Sequence, residues 1–358
     1  MTQLSPPAED EIEVTIFGRG YGESCVVHVG HGRWVIVDSY NHELPQLDPA
    51  IGRKRLMPVA RWYLDQLGVP TDGVEMIVCT HFHKDHYVGL LNLLTYYSRS
   101  RLVVTAALKS ERFLQLFADE ADEQVSELAQ AMKLARRRVV DGSGPELRYW
   151  GVESGRPFGD TRLSALAPMQ AAVDAVHEEL AKLIDAANRA ALTDALNKTK
   201  LDENCCSVVL HVDAPGACAL LCADLPTNPH RHGWQAVIDE RAHAELTAAD
   251  YVKVPHHGSE HSDHPPMWDR LVETRPTMSV TPYWPSGLPR PSDCERLAAR
   301  GPVFQAAPSR KAVSDPFGNV KPGRAATGII QARRGGRQQQ WHVEYDGAAF
   351  EVALSASS

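Results

Sequence analysis

Four potential metal ligands fall within six residues at positions 81–86 of the sequence. His81, His83, Asp85 and His86 form the pattern H-x-H-x-D-H, shortly after the apolar run Met76–Cys79. On an extended or turning backbone, side chains two residues apart point the same way, so His81 and His83 can reach one cation. If a helix begins after the turn, Asp85 and His86 can face a second cation beside the first. The pattern predicts a site for two divalent cations.

The donor types of this cluster indicate a metal and a reaction. Imidazole and carboxylate ligands without thiolate favour zinc, with manganese or iron as alternatives, over calcium or an iron–sulfur cluster. Two such cations about 3.5–4 Å apart lower the pKa of a bound water to about 7, which produces hydroxide at neutral pH. A surface cluster of histidines, or histidines that cap the following helix, is the alternative interpretation. The strand-to-turn context of the cluster argues against it.

Hydrophobic periodicity predicts the elements that position these ligands. Ile12, Val14 and Ile16 alternate with polar residues as in a half-buried strand, and the strand at 33–37 ends at Asp38. Residues 41–54 are predicted to form a loop. Long helical stretches are predicted from Ser110 and from Pro168. The remaining predicted strands include 102–105, 162–166, 204–212, 217–222, 279–282 and 303–306, and the shorter helices are 58–67, 90–97 and 292–300.

The H-x-H-x-D-H run after a strand resembles the hallmark of the metallo-β-lactamase superfamily. The strand at 217–222 leads to Asp224, and a further apolar strand leads to Pro-His-His-Gly-Ser at 255–259. Together with the Gly18–Ser24 hairpin and the N-x-x-S-V-V run from Asn204, these motifs narrow the resemblance. They resemble the metallo-β-lactamase-like domain of DNA-uptake competence proteins of the ComEC type, and related stand-alone hydrolases of phage-defence operons. The resemblance implies one α/β domain over residues 1–358, an αββα sandwich with a helical insertion at about 106–200.

The resemblance also implies a metal ligand at each matching position. His81 and His83 would hold the first metal, Asp85 and His86 the second, and Asp224 would bridge them. In the superfamily this bridging aspartate is more often preceded by glycine than by the alanine found here at position 223.

Further roles follow from the same resemblance. His257 would be the remaining ligand of the second metal, although the assignments of His256 and His257 could be reversed. His256 would then contact the substrate or donate a proton. Asp38 would orient the histidine cluster through hydrogen bonds, which fix ring tautomers. Lys253 and Ser259 are placed for a contact with a substrate phosphate, and a structural role for both is an equal alternative.

One superfamily ligand has no clear counterpart. Many members carry a further histidine, on a loop before the bridging aspartate, that completes the first site. The candidates here are His177, in an alanine-rich helical stretch, and His211, inside a strand. The ComEC-type branch likewise lacks an obvious histidine there, which implies a first site with an open position filled by water, or weak occupancy of that site.

The leading functional hypothesis is a dinuclear metal-dependent hydrolase, a phosphodiesterase or nuclease that uses a metal-bridged hydroxide. By resemblance its phosphodiester substrate would be DNA or RNA, with Asp85 or His256 steering the proton. One alternative is hydrolysis of another small ester, an amide or a cyclic nucleotide. Another is a metal-binding regulatory or scaffold subunit with protein partners in a bacterial defence complex.

Composition limits the possible partners and compartment. The net charge of −8 over 358 residues provides no global basic field for nucleic acid, so a polyanion would need local contacts. The seven cysteines are mostly in apolar runs, as expected for reduced thiols. Residues 1–10 lack a hydrophobic signal region and the chain has no membrane-spanning apolar run, so we expect a cytoplasmic protein with no membrane partner.

Overall fold

The computed structural model describes residues 4–48, 53–109, 123–186, 203–227, 232–240, 243, 245–309, 313–314, 320–321, 327–335, 338 and 340–353. The α-helices in these residues are α1 (Val59–Gln66), α2 (Lys84–Tyr87), α3 (Leu90–Tyr96), α4 (Glu123–Val140), α5 (Gln170–Ala186), α6 (Trp234–Asp239), α7 (Pro265–Leu271) and α8 (Pro291–Ala298). The strands are β1 (Ile12–Gly18), β2 (Glu23–His28), β3 (Trp34–Val37), β4 (Asn41–Asp48), β5 (Arg53–Pro58), β6 (Val74–Cys79), β7 (Arg101–Thr105), β8 (Arg148–Trp150), β9 (Gly155–Phe158), β10 (Thr161–Ala165), β11 (Leu210–Ala214), β12 (Ala217–Leu221), β13 (Ala249–Lys253), β14 (Val272–Val280), β15 (Val303–Gln305), β16 (Val313–Ser314), β17 (Val320–Lys321), β18 (Gly328–Arg334), β19 (His342–Asp346) and β20 (Phe350–Glu351).

Two eight-stranded sheets dominate the described structure. The first has the order β19-β18-β1-β2-β3-β6-β7-β8 and the second the order β20-β15-β14-β13-β12-β11-β10-β9. In the first sheet, the four neighbouring strands β3, β6, β7 and β8 are parallel to one another. In the second sheet, the same holds for β12, β13, β14 and β15. Parallel strands end at the same edge of a sheet, so the loops that follow β12 and β13 emerge side by side.

Alternation of side chains across both sheets produces three apolar layers. In β6, Met76 and Val78 pack between the sheets, whereas Ile77 and Cys79 face the helices. Helices α1, α3 and α4 cover the outer face of the first sheet, and α6, α7 and α8 cover the outer face of the second. The order of layers is helix, sheet, sheet, helix, which confirms the predicted αββα fold class.

Two element predictions were wrong. Residues predicted as a loop form the antiparallel hairpin β4–β5, in which Asn41 pairs with Pro58. Its pairing uses backbone groups, and its sequence lacks the apolar alternation on which strand prediction depends. The strand predicted from residue 204 begins at Leu210, because a 3-10 turn covers Glu203–Cys206 and the Val208 amide then donates to the Thr80 carbonyl at 2.9 Å.

The segment predicted as a helical insertion at 106–200 contains α4 and α5, and it also contributes β8 to the first sheet and β9 and β10 to the second. The predicted helix start at Ser110 lies outside the described residues. Among the helices of the described residues, none combines the length and the apolar character needed to cross a membrane.

Candidate metal centre

The candidate ligands lie in loops at the ends of strands from both sheets. In the first sheet, β6 ends at Cys79 and the short helix α2 follows after His81 and His83. In the second sheet, Asp224 follows β12, and His257 lies in the 3-10 turn Pro255–Gly258 after β13. Neighbouring parallel strands therefore bring Asp224 and His257 together.

The backbone of these loops is unusual at several positions. Asp38, Ala223, His256 and His257 have φ angles of 58°, 44°, 45° and 54°. Such left-handed conformations cost about 1–2 kcal/mol each for residues other than glycine. The His256 amide donates to the Ala223 carbonyl at 2.9 Å, so two of these strained loops hold each other. Strain of this kind persists where the surrounding structure imposes it, often at functional sites.

Four donor atoms from these loops form one compact group. Nε2 of His86 lies 3.5 Å from Oδ2 of Asp85 and 3.5 Å from Oδ2 of Asp224. Nε2 of His257 lies 3.5 Å and 3.4 Å from the same two oxygens. Ligands bound at about 2.0–2.2 Å to a tetrahedral zinc ion are separated from each other by about 3.3–3.6 Å. The spacing of the donors therefore fits a cation of the size of zinc.

Five buried donor atoms in this region have no hydrogen-bond partner within the described residues. They are Nε2 of His81, His86 and His257, Oδ2 of Asp85 and Oδ1 of Asp224. Burying polar atoms without partners costs free energy, and divalent cations would satisfy all five. His81, His86 and Asp224 form a second group with donor atoms within 4.8 Å of one another. Asp224 therefore reaches both groups.

Hydrogen bonds behind the donors select the tautomers of the two histidines from the first sheet. Oδ2 of Asp38 accepts from Nδ1 of His86 at 2.8 Å and from the Thr80 hydroxyl at 2.7 Å. Nδ1 of His81 lies 3.0 Å from that same hydroxyl and can donate a hydrogen bond to it. With both Nδ1 atoms engaged, the Nε2 lone pairs are left for a cation.

His257 is held from the other side by the loop after β14. Its Nδ1 lies 3.1 Å from the Thr281 hydroxyl and 3.2 Å from the Thr281 carbonyl. The Tyr283 ring stacks on the His257 imidazole, with ring centres 5.0 Å apart and planes at 15°. The Thr281 hydroxyl in turn donates to Glu23. Glu23, Thr281 and Tyr283 were not identified from the sequence.

Glu23 and Lys253 form a buried ion pair beneath the centre. Nζ of Lys253 lies 2.5 Å from Oε1 of Glu23 and 3.9 Å from Oδ1 of Asp224, and it donates to the Ala223 carbonyl at 3.2 Å. The Lys253 and Glu23 side chains are 3% and 5% exposed. A substrate phosphate would reach this amine only if the ion pair opened. In this arrangement Lys253 supports Asp224, and its predicted contact with a substrate phosphate stays a prediction.

Glu23 carried a signal that sequence analysis can use. It opens β2, a strand in which every residue is buried. A buried carboxylate needs a cationic partner, and Lys253 at the end of the buried strand β13 needs an anionic one. The sequence thus indicates that each charge needs a partner, and the structure shows that the two are partners of each other.

Three other predicted residues lie at the margin of the centre. His83 belongs to neither donor group; its side chain is 45% exposed and its Nδ1 lies 3.3 Å from Oδ1 of Asp85. Nδ1 of His256 lies 3.2 Å from the Ser262 hydroxyl, and its ring centre is 6.0 Å from that of His257. Ser259 is buried, and its hydroxyl caps the following turn by accepting from the His261 amide at 3.3 Å.

Neither candidate for the further histidine that the sequence resemblance implies reaches the donor groups. Nε2 of His177 lies 3.0 Å from the Ala107 carbonyl, and Nε2 of His211 lies 2.8 Å from the Thr247 carbonyl. Both rings are therefore engaged elsewhere in the fold.

Without a cation, the histidines and aspartates of the two donor groups shift each other's pKa values strongly. Burial opposes the charged ring of His257, yet Asp224 raises its pKa to about 10. Burial likewise opposes a charged His86, but three neighbouring carboxylates raise its pKa well above the ordinary value. Burial would raise the pKa of Asp224 and Asp85, and the two histidines hold both pKa values well below normal. Ionised carboxylates facing protonated imidazoles are groups whose protons a cation would displace.

The comparisons with known proteins gave structural matches alone. No protein-family model matches the chain, and no curated protein matches it. Similar solved structures include the metallo-β-lactamase fold protein YhfI from Bacillus subtilis (9% identity, TM-score 0.36, 76% of this chain and 87% of that chain). Others are a metallo-β-lactamase variant from Cronobacter sakazakii (14%, 0.34, 68% and 77%) and a protein of unknown function from Enterococcus faecalis V583 (12%, 0.34, 68% and 49%). The chain thus spans about half the length of the Enterococcus protein.

Proposed function

We propose that this protein is a metal-dependent hydrolase that cleaves phosphodiesters at a centre for two divalent cations. The observation that carries the proposal is the convergence of five buried donor atoms without hydrogen-bond partners. Zinc suits these nitrogen and oxygen donors, and manganese is the alternative. His86, His257, Asp85 and Asp224 would hold one cation, and His81 with Asp224 would contribute to the other.

The residues of the centre have separable tasks in such a reaction. Divalent cations bound there supply a water-derived nucleophile at neutral pH and neutralise charge on a phosphoryl group. Asp38 keeps Nδ1 of His86 protonated and thereby directs Nε2 into the centre. At the rim, Nδ1 of His83 and Oδ1 of Asp85, 3.3 Å apart, can hold a proton close to a leaving group. The partly exposed ring of His256 is the second candidate for that proton transfer.

Paired arginines favour a small substrate over a long nucleic acid. Arg333 is paired with Glu13 at 2.7 Å, and Arg334 is paired with Asp250. Arg290, at the surface, lies 3.4 Å from Glu260. The carboxylate partners partly neutralise these arginines, which weakens any basic groove for a long nucleic acid. A cyclic nucleotide or another small diester needs no such groove. Nucleic acid, implied by the sequence resemblance, remains the first competitor.

A hydrolysis panel tests the proposal. Zinc- or manganese-loaded protein would be assayed with bis-p-nitrophenyl phosphate, single- and double-stranded DNA, RNA, cyclic nucleotides and a β-lactam. We expect metal-dependent turnover of phosphodiesters, loss of turnover in Asp85→Asn, and normal turnover in Asp213→Asn, a matched change on β11 away from the centre. Turnover of the lactam alone would contradict the phosphodiesterase assignment.

Two further measurements separate the rival functions. Binding of a nucleic acid that contacts several phosphates weakens steeply with salt, whereas binding of a small diester does not. A regulatory or scaffold subunit would instead keep its biological function after Asp85 and His86 are replaced together and the metal is lost. An enzyme would lose that function with the metal.

A further inference from the structure

Backbone pairing with two other segments fixes Tyr283 beside the candidate metal centre. Its amide donates to the Leu288 carbonyl at 2.9 Å, and the Leu288 amide donates back at 3.0 Å. A β-bridge joins Tyr283 to Gly20, where the Trp284 amide also donates to the Gly20 carbonyl at 3.0 Å. A Cβ at Gly20 would lie 2.1 Å from the Trp284 ring, so this close approach requires glycine. The backbone position of Tyr283 is therefore held from both sides.

The Tyr283 side chain combines a packed ring with an available hydroxyl. The ring stacks on the imidazole of His257, whose Nε2 belongs to the donor group with Asp85 and Asp224. The residue is only partly buried. Within the part of the chain that the structure describes, the Tyr283 hydroxyl makes no hydrogen bond. A rigidly placed donor next to the reaction site is thus left for a bound ligand.

We propose that the Tyr283 hydroxyl donates a hydrogen bond to a nonbridging phosphoryl oxygen of the substrate and is a catalytic residue of this centre. The inference rests on the proposed phosphodiester hydrolysis. Lys253, the side chain predicted to contact the phosphate, is buried against Glu23. Tyr283 supplies the missing donor from the exposed side. A phenol is protonated at neutral pH, and a preorganised donor is most effective where negative charge grows in the transition state.

The alternative is that Tyr283 acts only by packing its ring against His257. Tyr283→Phe separates the two roles, because it keeps the stacked ring and removes the hydroxyl. With zinc-loaded protein and methyl p-nitrophenyl phosphate as substrate, we expect kcat to fall by about 10- to 100-fold at unchanged zinc content. Tyr345→Phe is the matched control, since Tyr345 packs on Phe304 and is 45% exposed on another part of the surface. Its kcat should stay within about twofold of the wild type.

Binding of inorganic phosphate provides a second readout that does not require turnover. Calorimetry with zinc-loaded protein should show a dissociation constant for phosphate at least about fivefold higher for Tyr283→Phe than for the wild type. If the wild type hydrolysed no phosphodiester, the proposed function would fail. The binding measurement would still test whether the Tyr283 hydroxyl contacts a phosphate. Wild-type kcat and phosphate affinity in a fully zinc-loaded Tyr283→Phe would overturn the inference. Loss of zinc from that variant would also overturn it, because the hydroxyl would then act through His257.

Discussion

Nε2 of His257 lies 3.4 Å from Oδ2 of Asp224, although the two residues follow different strands. Strands β12 and β13 are parallel neighbours, so their carboxyl ends deliver both side chains to one edge of the second sheet. The loop after β6 brings His81 and His86 to the same place from the first sheet. The centre therefore depends on the packing of one sheet edge against the other.

Removal of the Asp38 charge should weaken metal binding. In Asp38→Asn, the amide oxygen replaces the carboxylate that accepts from Nδ1 of His86, and asparagine tolerates the φ of 58° at this position. We expect the dissociation constant for zinc to rise about 10- to 100-fold. A competition titration with a chromophoric chelator measures it, with Asp213→Asn as the control. Equal affinities in the two variants would exclude an orienting role for Asp38.

Chelated protein should become less stable as the pH rises from about 7 to about 10. Burial opposes protonation of His257, but Asp224 raises its pKa to about 10, whereas a histidine in the unfolded chain titrates near about 6.5. The folded state therefore binds more protons within this window, and the free energy of unfolding falls with rising pH. This one histidine contributes a slope of at most about 1.4 kcal/mol per pH unit.

Urea unfolding at several pH values, with chelator present, measures this slope. Zinc-loaded protein is the control, since the cation replaces the proton on Nε2 and the decline should be much smaller. A stability of the chelated protein that is constant or rises between pH 7 and 10 would be incompatible with the electrostatic account of His257 and Asp224.

Replacement by glycine should cost less stability at Ala223 than at Ala219 in β12. Ala223 has a φ of 44°, whereas Ala219 lies in regular strand, and the two are similarly buried at 3% and 1% exposure. Both substitutions lose one buried methyl group and add freedom to the unfolded chain, but only Ala223→Gly relieves a left-handed conformation. Denaturant unfolding should show Ala223→Gly to be at least about 1 kcal/mol more stable than Ala219→Gly. Equal costs would show that the positive φ carries no strain.

Neutralising Glu23 should destabilise the protein through Lys253. The Glu23→Gln variant leaves a buried ammonium without its partner 2.5 Å away, which typically costs about 3–5 kcal/mol. The double variant Glu23→Gln/Lys253→Met removes both charges and should recover part of that loss. Chemical denaturation of chelated protein compares the two. A single variant that loses less than about 1 kcal/mol would show that the pair does not support the fold.

Candidate site residues that directly follow an apolar strand were predictable from the sequence because a strand end is a local feature. Asp38 follows β3, His81 follows β6 and Asp224 follows β12, each after a buried run. The αββα order was likewise predictable from the family resemblance, and the three apolar layers confirm it. In these cases residues near in sequence contained the necessary information.

Features that depend on contacts between distant segments were not accessible in this way. The partner of Lys253 is Glu23, which lies in the other sheet, and the sequence alone does not identify which buried acid meets which buried base. His83 has the same local spacing as a ligand, but its side chain lies at the exposed rim beside Asp85. The stacking of Tyr283 on His257 depends on a loop after β14 whose path is set by Gly20.

The central claim is that the converging donor atoms enclose divalent cations. Crystals of zinc-loaded protein, with anomalous diffraction measured on both sides of the zinc absorption edge, test it most directly. We predict one peak about 2.0–2.2 Å from the donors of His86, His257, Asp85 and Asp224, and a second, weaker peak beside His81 and Asp224. Zinc peaks confined to surface side chains, with none inside this group, would contradict the account.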